Sequence, residues 1–390
     1  MRRNSEGVLV GLLTGVRILD ITNSLAGAMA TQVLADHDAT IVRVDRVGAL
    51  RQPHERVRLR GRRSVAVDCA VAEGEALAER LAAASDVVLL EPGLDGRMRF
   101  GADAVALVAR YPRLVVCRIT AHGDQGPLAG AWFHDHLVAA RYGLYQQVGW
   151  REGPTYLASS VPSLGASLLA VQAIGTALYV RERTGRGQVV SASLLAGALA
   201  CQPGIAWADG APPGTGTPGR GPLGVLPFYR LYECADGEWL HFGCLSAQFQ
   251  QRAAMSLGLD AELRALGFGT PDAAPNHPRM IELVAAVMRG RPFAAWAAQF
   301  ERDDIPYARS QWAEDLLDDP QVAHEGLRIT VDDPTVGPMQ QMGVTAMVAG
   351  QAAPALAPAP VAGQHTDVVL SELGLSPSEI AGLRQRGVLA

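Results

Sequence analysis

The chain has 390 residues, of which 48% are hydrophobic, and its formal net charge is -5. This length exceeds a typical single core, so two domains or one elaborated α/β domain is expected. The acidic balance and the lack of a basic stripe interleaved with aromatic residues argue against nucleic acid as a partner. No uninterrupted apolar run reaches the roughly 20 residues that a membrane span needs, which predicts a soluble protein with no membrane partner.

All of the basic side chains other than histidine are arginines, because the sequence contains no lysine. This excludes Schiff-base catalysis by the chain itself. The five cysteines are scattered and odd in number, which predicts reduced structural thiols rather than a disulfide framework or zinc ligands. The N-terminus carries two arginines but too short an apolar stretch for a secretion signal, so a cytoplasmic location is expected.

Short β-branched runs alternate with helical stretches of about a dozen residues in the N-terminal half. The predicted strands are 16–22, 40–45, 64–69, 86–91 and 113–119, and the predicted helices are 26–37, 73–84 and 102–110. This alternation is typical of an α/β fold with a doubly wound, Rossmann-like parallel sheet, in which ligands bind at the carboxyl ends of the strands. The first such loop lacks G-x-G-x-x-G, and no P-loop motif occurs, so NAD is not expected as a cofactor.

A long apolar helix is predicted within residues 157–188, after a stretch of small residues. Pro162 suits its first turn, the hydroxyls of Ser160 and Ser163 can accept from its first amides, and Gly185 can take the left-handed stop. The helix is therefore expected to present unpaired N–H groups to an anion or a thioester oxygen.

The composition predicts four segments. Residues 1–200 form a large Rossmann-like domain, 201–224 a Gly/Pro linker and 225–330 a small α+β domain, and 331–390 contain a Pro/Ala linker at 351–362 and a helical tail. The small domain has a hairpin around A-D-G-E within 228–244, followed by helices at 247–257, 279–288 and 292–302. A last helix is predicted at 376–386.

Several stretches, taken together, resemble the class III CoA-transferases, the CaiB/BaiF family that includes formyl-CoA transferase and α-methylacyl-CoA racemase. The matching stretches keep the family's order over nearly the whole chain: G-V-R-I-L-D-I-T from Gly15, A-T-I-V-R-V-D-R-V-G from Ala39, G-R-R-S-V-A-V-D from Gly61, R-T-G-R-G-Q from Arg183, Y-E-C-A-D-G from Tyr232 and G-Q-H-T-D-V-V-L-S-E-L-G-L from Gly363. The resemblance implies a Rossmann-like domain completed by the C-terminal tail, a small middle domain and an interlocked dimer, which is a homodimer in the family. It also implies coenzyme A, as substrate or acyl-CoA thioester, with no metal or NAD and with a carboxylic acid as the acceptor.

The resemblance also assigns residues to CoA. It implies that Ser24, Leu25 and Ala26 form the loop that approaches CoA, and that Arg46 and Arg99 contact its charged portion. CoA carries several phosphate charges, which planar guanidinium groups bind bidentately. The alternative for each arginine is a solvated surface charge.

The sequence departs from the family at the catalytic position. The transferases use an aspartate that attacks the thioester, and counting back from Gly185 places Ser163 there; a serine hydroxyl needs a neighbouring base before it attacks. The F-H-D sequence resembles the G-H-D of the racemase branch, so His134 matches its histidine and Asp135 the acidic residue that follows. Ser246 stands where that branch has a glutamate supporting the histidine.

Three functions follow from this mixture of retained and lost residues. The retained CoA motifs favour an active acyl-CoA enzyme, a transferase or a racemase-like isomerase, in which His134 and Asp135 work without the missing carboxylate. The alternatives are a non-catalytic subunit of a heteromeric CoA-transferase, paired with a paralogue that supplies the aspartate, and an acyl-CoA-binding protein. The simpler structural alternatives are that His134 only begins a helix and that Ser163 only caps one. A metal site at H-D-H, residues 134–136, would need a third and a fourth ligand that the sequence does not indicate.

Overall fold

The computed structural model describes residues 11–91, 104–131, 133–147, 154–201, 223–346 and 356–390. The described residues divide into two compact units: the first lies within Met1–Tyr142, Ser159–Pro203 and Pro320–Ala390, and the second within Gly143–Ala158 and Gly204–Asp319. Residues 143–158, which the sequence assigns to the large domain, group with the second unit. Residues 320–330, which it assigns to the small domain, group with the first.

The first unit is built on a six-stranded sheet. Its strands are β1 (Arg17–Ile21), β2 (Thr40–Asp45), β3 (Arg62–Ala66), β4 (Val87–Leu90), β5 (Val115–Thr120) and β6 (Val189–Ser193). They run parallel in the order β3-β2-β1-β4-β5-β6, which confirms the predicted α/β fold with a parallel sheet. Because the strands are parallel, the loops after β1, β2, β4 and β5 all leave from one edge of the sheet, where ligands bind in such folds.

The remaining strands form two antiparallel sheets. β7 (Leu231–Glu233), β8 (Trp239–Phe242) and β9 (Tyr307–Arg309) make one, and β10 (Arg328–Asp333) and β11 (Gly337–Met342) make the other. The pairing of β7 with β8 confirms the hairpin predicted around A-D-G-E. Gly237 in its turn has a φ of 79°, a conformation that glycine adopts without strain.

Fifteen α-helices are assigned within the described ranges. They are α1 (Leu25–Asp36), α2 (Pro53–Arg56), α3 (Ala72–Ala83), α4 (Ala104–Arg110), α5 (Asp135–Arg141), α6 (Leu144–Gln147), α7 (Val161–Thr184), α8 (Leu194–Ala200), α9 (Ala247–Ser256), α10 (Asp260–Ala265), α11 (His277–Met288), α12 (Phe293–Arg302), α13 (Pro320–His324), α14 (Thr366–Glu372) and α15 (Pro377–Gln385).

The C-terminal tail is part of the core of the first unit. Leu370 on α14 and Ile380 on α15 are buried in the same apolar cluster as Leu19 and Val88 of the sheet. Close by, the amide of Asp68 donates to the carbonyl of Val388 at 2.9 Å. The return of the tail agrees with what the resemblance implies. The second unit has a separate core of aromatic and aliphatic side chains around Phe242, Trp296 and Phe300.

Helix α7 is the long apolar helix that the sequence predicts. It ends at Gly185, whose φ of 72° is the predicted left-handed stop, and Pro162 lies in its first turn. Among the described helices, α7 is long and apolar enough to cross a membrane by length and composition, a property that it shares with core helices of soluble proteins. It packs against α1, α8, β5 and β6, and Ile174 and Ala177 are fully buried.

The cysteines are free thiols, and Cys69, Cys117, Cys234 and Cys244 are buried whereas Cys201 is exposed. Burial raises the pKa of the Cys69 thiol to about 11 and that of the Cys117 thiol to about 12. Since the thiolate is the reactive form, these two side chains are poor nucleophiles near neutral pH.

Candidate functional site

The loops after β1, β2 and β4 meet at the carboxyl edge of the sheet. Ser24 follows β1, Arg46 directly follows β2 and is exposed, and Glu91 directly follows β4. The structure therefore brings the predicted CoA loop and Arg46 to the same edge. Arg99, the other arginine assigned to CoA by the resemblance, lies outside the described residues.

The β1–α1 loop ends in a capped helix start. Ser24 is the N-cap residue of α1, and its hydroxyl accepts a hydrogen bond from the amide of Gly27 at 3.1 Å. The amides of Leu25 and Ala26 have no hydrogen-bond partner among the residues that the structure describes. Free amides at the start of a helix favour an anionic ligand, so this loop is chemically suited to a phosphate or a thioester oxygen.

Glu91 holds this loop from the neighbouring strand. Its Oε2 accepts hydrogen bonds from the amides of Asn23 at 2.9 Å and Ser24 at 3.1 Å, and its Oε1 accepts the hydroxyl proton of Ser24. Burial raises the pKa of Glu91 to about 7, the nearby charge of Asp20 adds to the rise, and the hydrogen bonds oppose it. No role was predicted for Glu91 from the sequence. Its position directly after the buried strand V-V-L-L could have indicated a polar side chain at the carboxyl edge of the sheet.

A buried ionic network lies beneath the loop. The Nη1 of Arg43 is 3.1 Å from Oδ2 of Asp20, and its Nε is 2.9 Å from Oδ1 of Asp45. Burial opposes ionisation of Asp20, but the charges of Arg43 and Arg62 outweigh it and lower the pKa of that carboxyl. Separating these charges would leave one of them buried without a partner, which is costly in free energy. The network therefore holds together the ends of β1 and β2, from which the two loops start.

Asp135 and Ser163 meet across two helices. The Oδ1 of Asp135, the first residue of α5, accepts a hydrogen bond from the amide of Ser163 on α7 at 3.0 Å. The Oδ2 of Asp135 is buried and has no hydrogen-bond partner within the described ranges. His134 is the exposed N-cap residue of α5, and its ring centroid is 6.0 Å from that of His136. The structure thus brings Asp135 into contact with Ser163, and the roles of both residues stay predictions.

The start of α7 does not present the free amides that the sequence predicts. The amide of Val161 donates to the carbonyl of Ser159 at 2.9 Å, and that of Leu164 to the carbonyl of Ser160 at 3.0 Å. Pro162 has no N–H, and the Ser163 amide is bound by Asp135. The expectation of an oxyanion site at this helix start is therefore wrong, and the free amides lie at the start of α1 instead.

The predicted capping roles of Ser160 and Ser163 are also wrong. Ser160 is the N-cap residue of α7, but its side chain makes no capping hydrogen bond, and Ser163 is the third residue of the helix. A carboxylate accepts a stronger hydrogen bond than a hydroxyl and is favoured by the helix dipole, so Asp135 replaces the local serine cap. Sequence patterns near α7 do not reveal a cap that comes from another helix.

Ser246 has a local structural role in the second unit. It is the N-cap residue of α9, and its hydroxyl accepts from the amide of Phe249 at 3.4 Å. In the part of the chain that the structure describes, no group of three or more His, Cys, Asp and Glu side chains is placed to hold a metal ion.

Two cavities lie near the carboxyl end of β5. One of about 210 Å³ is lined in part by Arg118, His122, Asp124 and Phe133, and a larger groove of about 460 Å³ lies between α7 and β6. Arg118 and Asp124 form an ion pair at 2.9 Å inside the smaller cavity. The predicted site residues line neither of the two, although Phe133 directly precedes His134 in the chain.

Comparisons with known proteins agree over almost the full length of the chain. The model of CoA-transferase family III matches residues 13–366. The chain is 30% identical to α-methylacyl-CoA racemase of Mus musculus, with 95% of this chain and 96% of the racemase covered. It is 28% identical to succinyl-CoA:glutarate CoA-transferase of Mus musculus, with 93% and 86% covered. A crystal structure of a CaiB/BaiF family protein from Brucella suis shares the fold, with a TM-score of 0.80 at 23% identity over 94% of this chain and 100% of the other.

Proposed function

This chain belongs to CoA-transferase family III, and on that premise we propose that it is an enzyme acting on an acyl-CoA thioester through an altered catalytic centre. In this centre His134 and Asp135 carry the proton chemistry, and Ser163 occupies the position of the family's nucleophilic aspartate. The relatives include both a racemase and a transferase, so a CoA thioester is a substrate class that fits.

The observation that carries the proposal is the state of the Asp135 carboxyl group. One oxygen accepts the Ser163 amide at 3.0 Å, whereas the other is buried and accepts no hydrogen bond from a described residue. A carboxylate oxygen that accepts no hydrogen bond from the protein is available to accept a proton. Asp135 thereby keeps a carboxyl group beside the start of α7 even though residue 163 is a serine.

Ser163 itself does not support nucleophilic attack. It is 3% exposed, and its hydroxyl has no hydrogen bond to a described residue. A serine nucleophile requires a base within hydrogen-bond reach. We therefore favour proton transfer at the carbon next to the thioester over covalent transfer of the acyl group.

The proposed reaction is an exchange of the α-proton. One of His134 and Asp135 takes the proton, the C–H electron pair forms the carbon–carbon double bond of an enolate, and the negative charge moves to the thioester oxygen. The other residue, which carries a proton at the start, then gives it to the α-carbon, so the two residues end with their protonation states reversed and the net result is exchange or inversion. CoA is held by the β1–α1 loop, where Leu25 and Ala26 offer free amides, and by Arg46 at the same edge.

The test is α-proton exchange in deuterated water. Purified protein is incubated with a panel of 2-methylacyl-CoA and other acyl-CoA esters, with and without acceptor acids, and deuterium uptake is measured by mass spectrometry. We expect Asp135→Asn to lower the exchange rate by about 100-fold or more. The side-chain oxygen of asparagine can still accept a hydrogen bond from the backbone N–H of Ser163, but the asparagine side chain is not a base. His136→Gln on the same helix is the matched control and should change the rate by less than about threefold.

The outcomes separate the proposal from its alternatives. Equal exchange by wild type and Asp135→Asn would show that Asp135 is not the base. Complete inertness across the panel would contradict an enzyme, and inertness with retained CoA binding would favour an acyl-CoA-binding protein. Co-purification of a paralogue with aspartate at the position of Ser163 would favour a non-catalytic subunit.

A further inference from the structure

Glu91 makes three hydrogen bonds to two consecutive residues of the β1–α1 loop. Both of its oxygens are used: Oε2 binds the amides of Asn23 and Ser24, and Oε1 binds the hydroxyl of Ser24. These contacts join the ends of two adjacent parallel strands, since β1 pairs with β4. A carboxyl group so fully engaged fixes the backbone that it contacts.

The hydroxyl of Ser24 links Glu91 to the start of α1. It donates its proton to Glu91 and accepts a hydrogen bond from the amide of Gly27 at 3.1 Å. Because its one proton points to Glu91, its lone pairs are left to face the helix. Glu91 therefore selects the side-chain orientation in which Ser24 caps α1.

The loop is also held from β1. The amide and hydroxyl of Thr22 donate to Oδ1 of Asp20 at 3.0 and 2.6 Å. A Cβ on Gly27 would lie 2.1 Å from Oγ1 of Thr22, so the first turn of α1 closes tightly onto this threonine. With Asp20 fixing one side of the turn and Glu91 the other, the amides of Leu25 and Ala26 have a defined direction.

We propose that Glu91 is a positioning residue for CoA: it holds the turn of Asn23 and Ser24 in the conformation in which the first amides of α1 can bind the ligand. This inference rests on the proposed function, which places CoA at residues 24–26. Glu91 acts through the loop and is not assigned any contact with the reacting atoms.

The test measures CoA binding and loop protection separately. The dissociation constant for CoA is measured by calorimetry, and hydrogen exchange of the amides of residues 23–27 is measured without CoA. We expect Glu91→Ala to weaken CoA binding by about 10-fold or more and to speed exchange of these amides. Glu91→Gln should weaken binding by less, because its carbonyl oxygen can still accept the two amides although its NH2 group cannot accept the proton of the Ser24 hydroxyl.

Asp86→Ala is the matched control. Asp86 precedes β4 at the opposite end and accepts the amide of Arg17 at 2.9 Å, so it holds β1 in a comparable way away from the CoA loop. We expect this variant to lose stability but to bind CoA within about twofold of wild type. Should Glu91→Ala fail to fold, Glu91→Asp, which keeps the charge but shortens the side chain, is expected to weaken binding and speed exchange in the same way.

Several results would overturn the inference. Unchanged CoA affinity in Glu91→Ala or Glu91→Asp with faster exchange at residues 23–27 would show that the turn does not control binding. Equal loss in Glu91→Gln and Glu91→Ala would show that the hydrogen bonds to the amides of Asn23 and Ser24 do not hold the turn for CoA. If wild type binds no CoA, the proposed function fails first, and the inference falls with it.

Discussion

At the scale of single residues, the proposed loss of the family's aspartate at Ser163 can be tested by restoring a carboxylate there. Its amide is bound by Asp135 and its side chain is buried in the first turn of α7. We expect Ser163→Asp to introduce or increase CoA-transferase or racemase activity, because an ionised carboxylate needs no added base to attack a thioester. Transfer of CoA to an acceptor acid and α-deuterium uptake are the two measurements.

Ser163→Asn is the control for this gain of activity, because asparagine matches aspartate in size without its charge. It should leave the wild-type rates unchanged within about threefold. If Ser163→Asp folds and binds CoA but gains neither CoA transfer nor α-proton exchange, then residues other than Ser163 also prevent the family's reactions. The like charge of Asp135 raises the cost of ionising a second carboxyl nearby, so both rates should be measured up to mildly alkaline pH.

The residues at the site show why sequence reasoning reached only part of it. Motifs pointed to His134, Asp135 and Ser163, whose roles stay predictions, and the structure adds a hydrogen bond between Asp135 and Ser163. The role of Glu91 was missed, because its partners Asn23 and Ser24 lie 68 and 67 positions away in the chain. The carboxylate cap on α7 was missed for the same physical reason, since it depends on the packing of α5.

At the scale of elements, α7 and α8 cross at two glycines. A Cβ on Gly165 would lie 2.4 Å from the carbonyl oxygen of Gly197, and one on Gly197 would lie 2.3 Å from the amide nitrogen of Ala166. These contacts are to backbone atoms and cannot be relieved by a side-chain rotation. We expect Gly165→Ala to lower the free energy of unfolding by about 1–3 kcal/mol and to shift the first turn of α7 that contains Ser163.

Gly175→Ala in the same helix is the matched control. No heavy atom lies within 4 Å of a Cβ built there, and the residue is exposed. Alanine is the better helix former, so this variant should gain up to about 1 kcal/mol in unfolding free energy. Urea denaturation measures both variants, and equal stability of Gly165→Ala and wild type would show that the two helices can separate without cost.

Local patterns predicted most elements because strand and helix periods depend on neighbouring residues. The strand at 40–45 and the left-handed Gly185 agree with the structure. The start of β3 was predicted at residue 64, but the strand begins at Arg62. Two consecutive arginines in a sequence are typical of a solvated turn. In the structure, however, Arg62 is buried and donates hydrogen bonds to the carbonyl of Ala28 and the hydroxyl of Thr31 on α1.

At the scale of the whole molecule, the chain leaves and re-enters the first unit. The sheet and the residues from 320 onward belong to one unit although the second unit lies between them in sequence. The Gly/Pro segment predicted at 201–224 lies near the point where the chain passes from the first unit to the second, whereas composition did not mark the return at Pro320. It did not reveal that 143–158 group with the second unit, because that assignment depends on contacts rather than on composition.

Large apolar side chains are exposed on α7 and α8, where another subunit could cover them. Leu168 is 63% exposed, Tyr179 60% and Leu199 45%, and the α7–β6 groove lies on the same helix. Large apolar side chains that are exposed on two packed helices are available to a subunit interface. With the interlocked homodimer that the family resemblance implies, we expect light scattering to give twice the mass of one chain.

We also expect tagged and untagged dimers to form no hybrids when mixed in native buffer, because threaded chains separate only by unfolding. Hybrids should form after joint denaturation and refolding, which is the control. Rapid native exchange would rule out interlocking, and a second polypeptide in the purified complex would identify a heteromer.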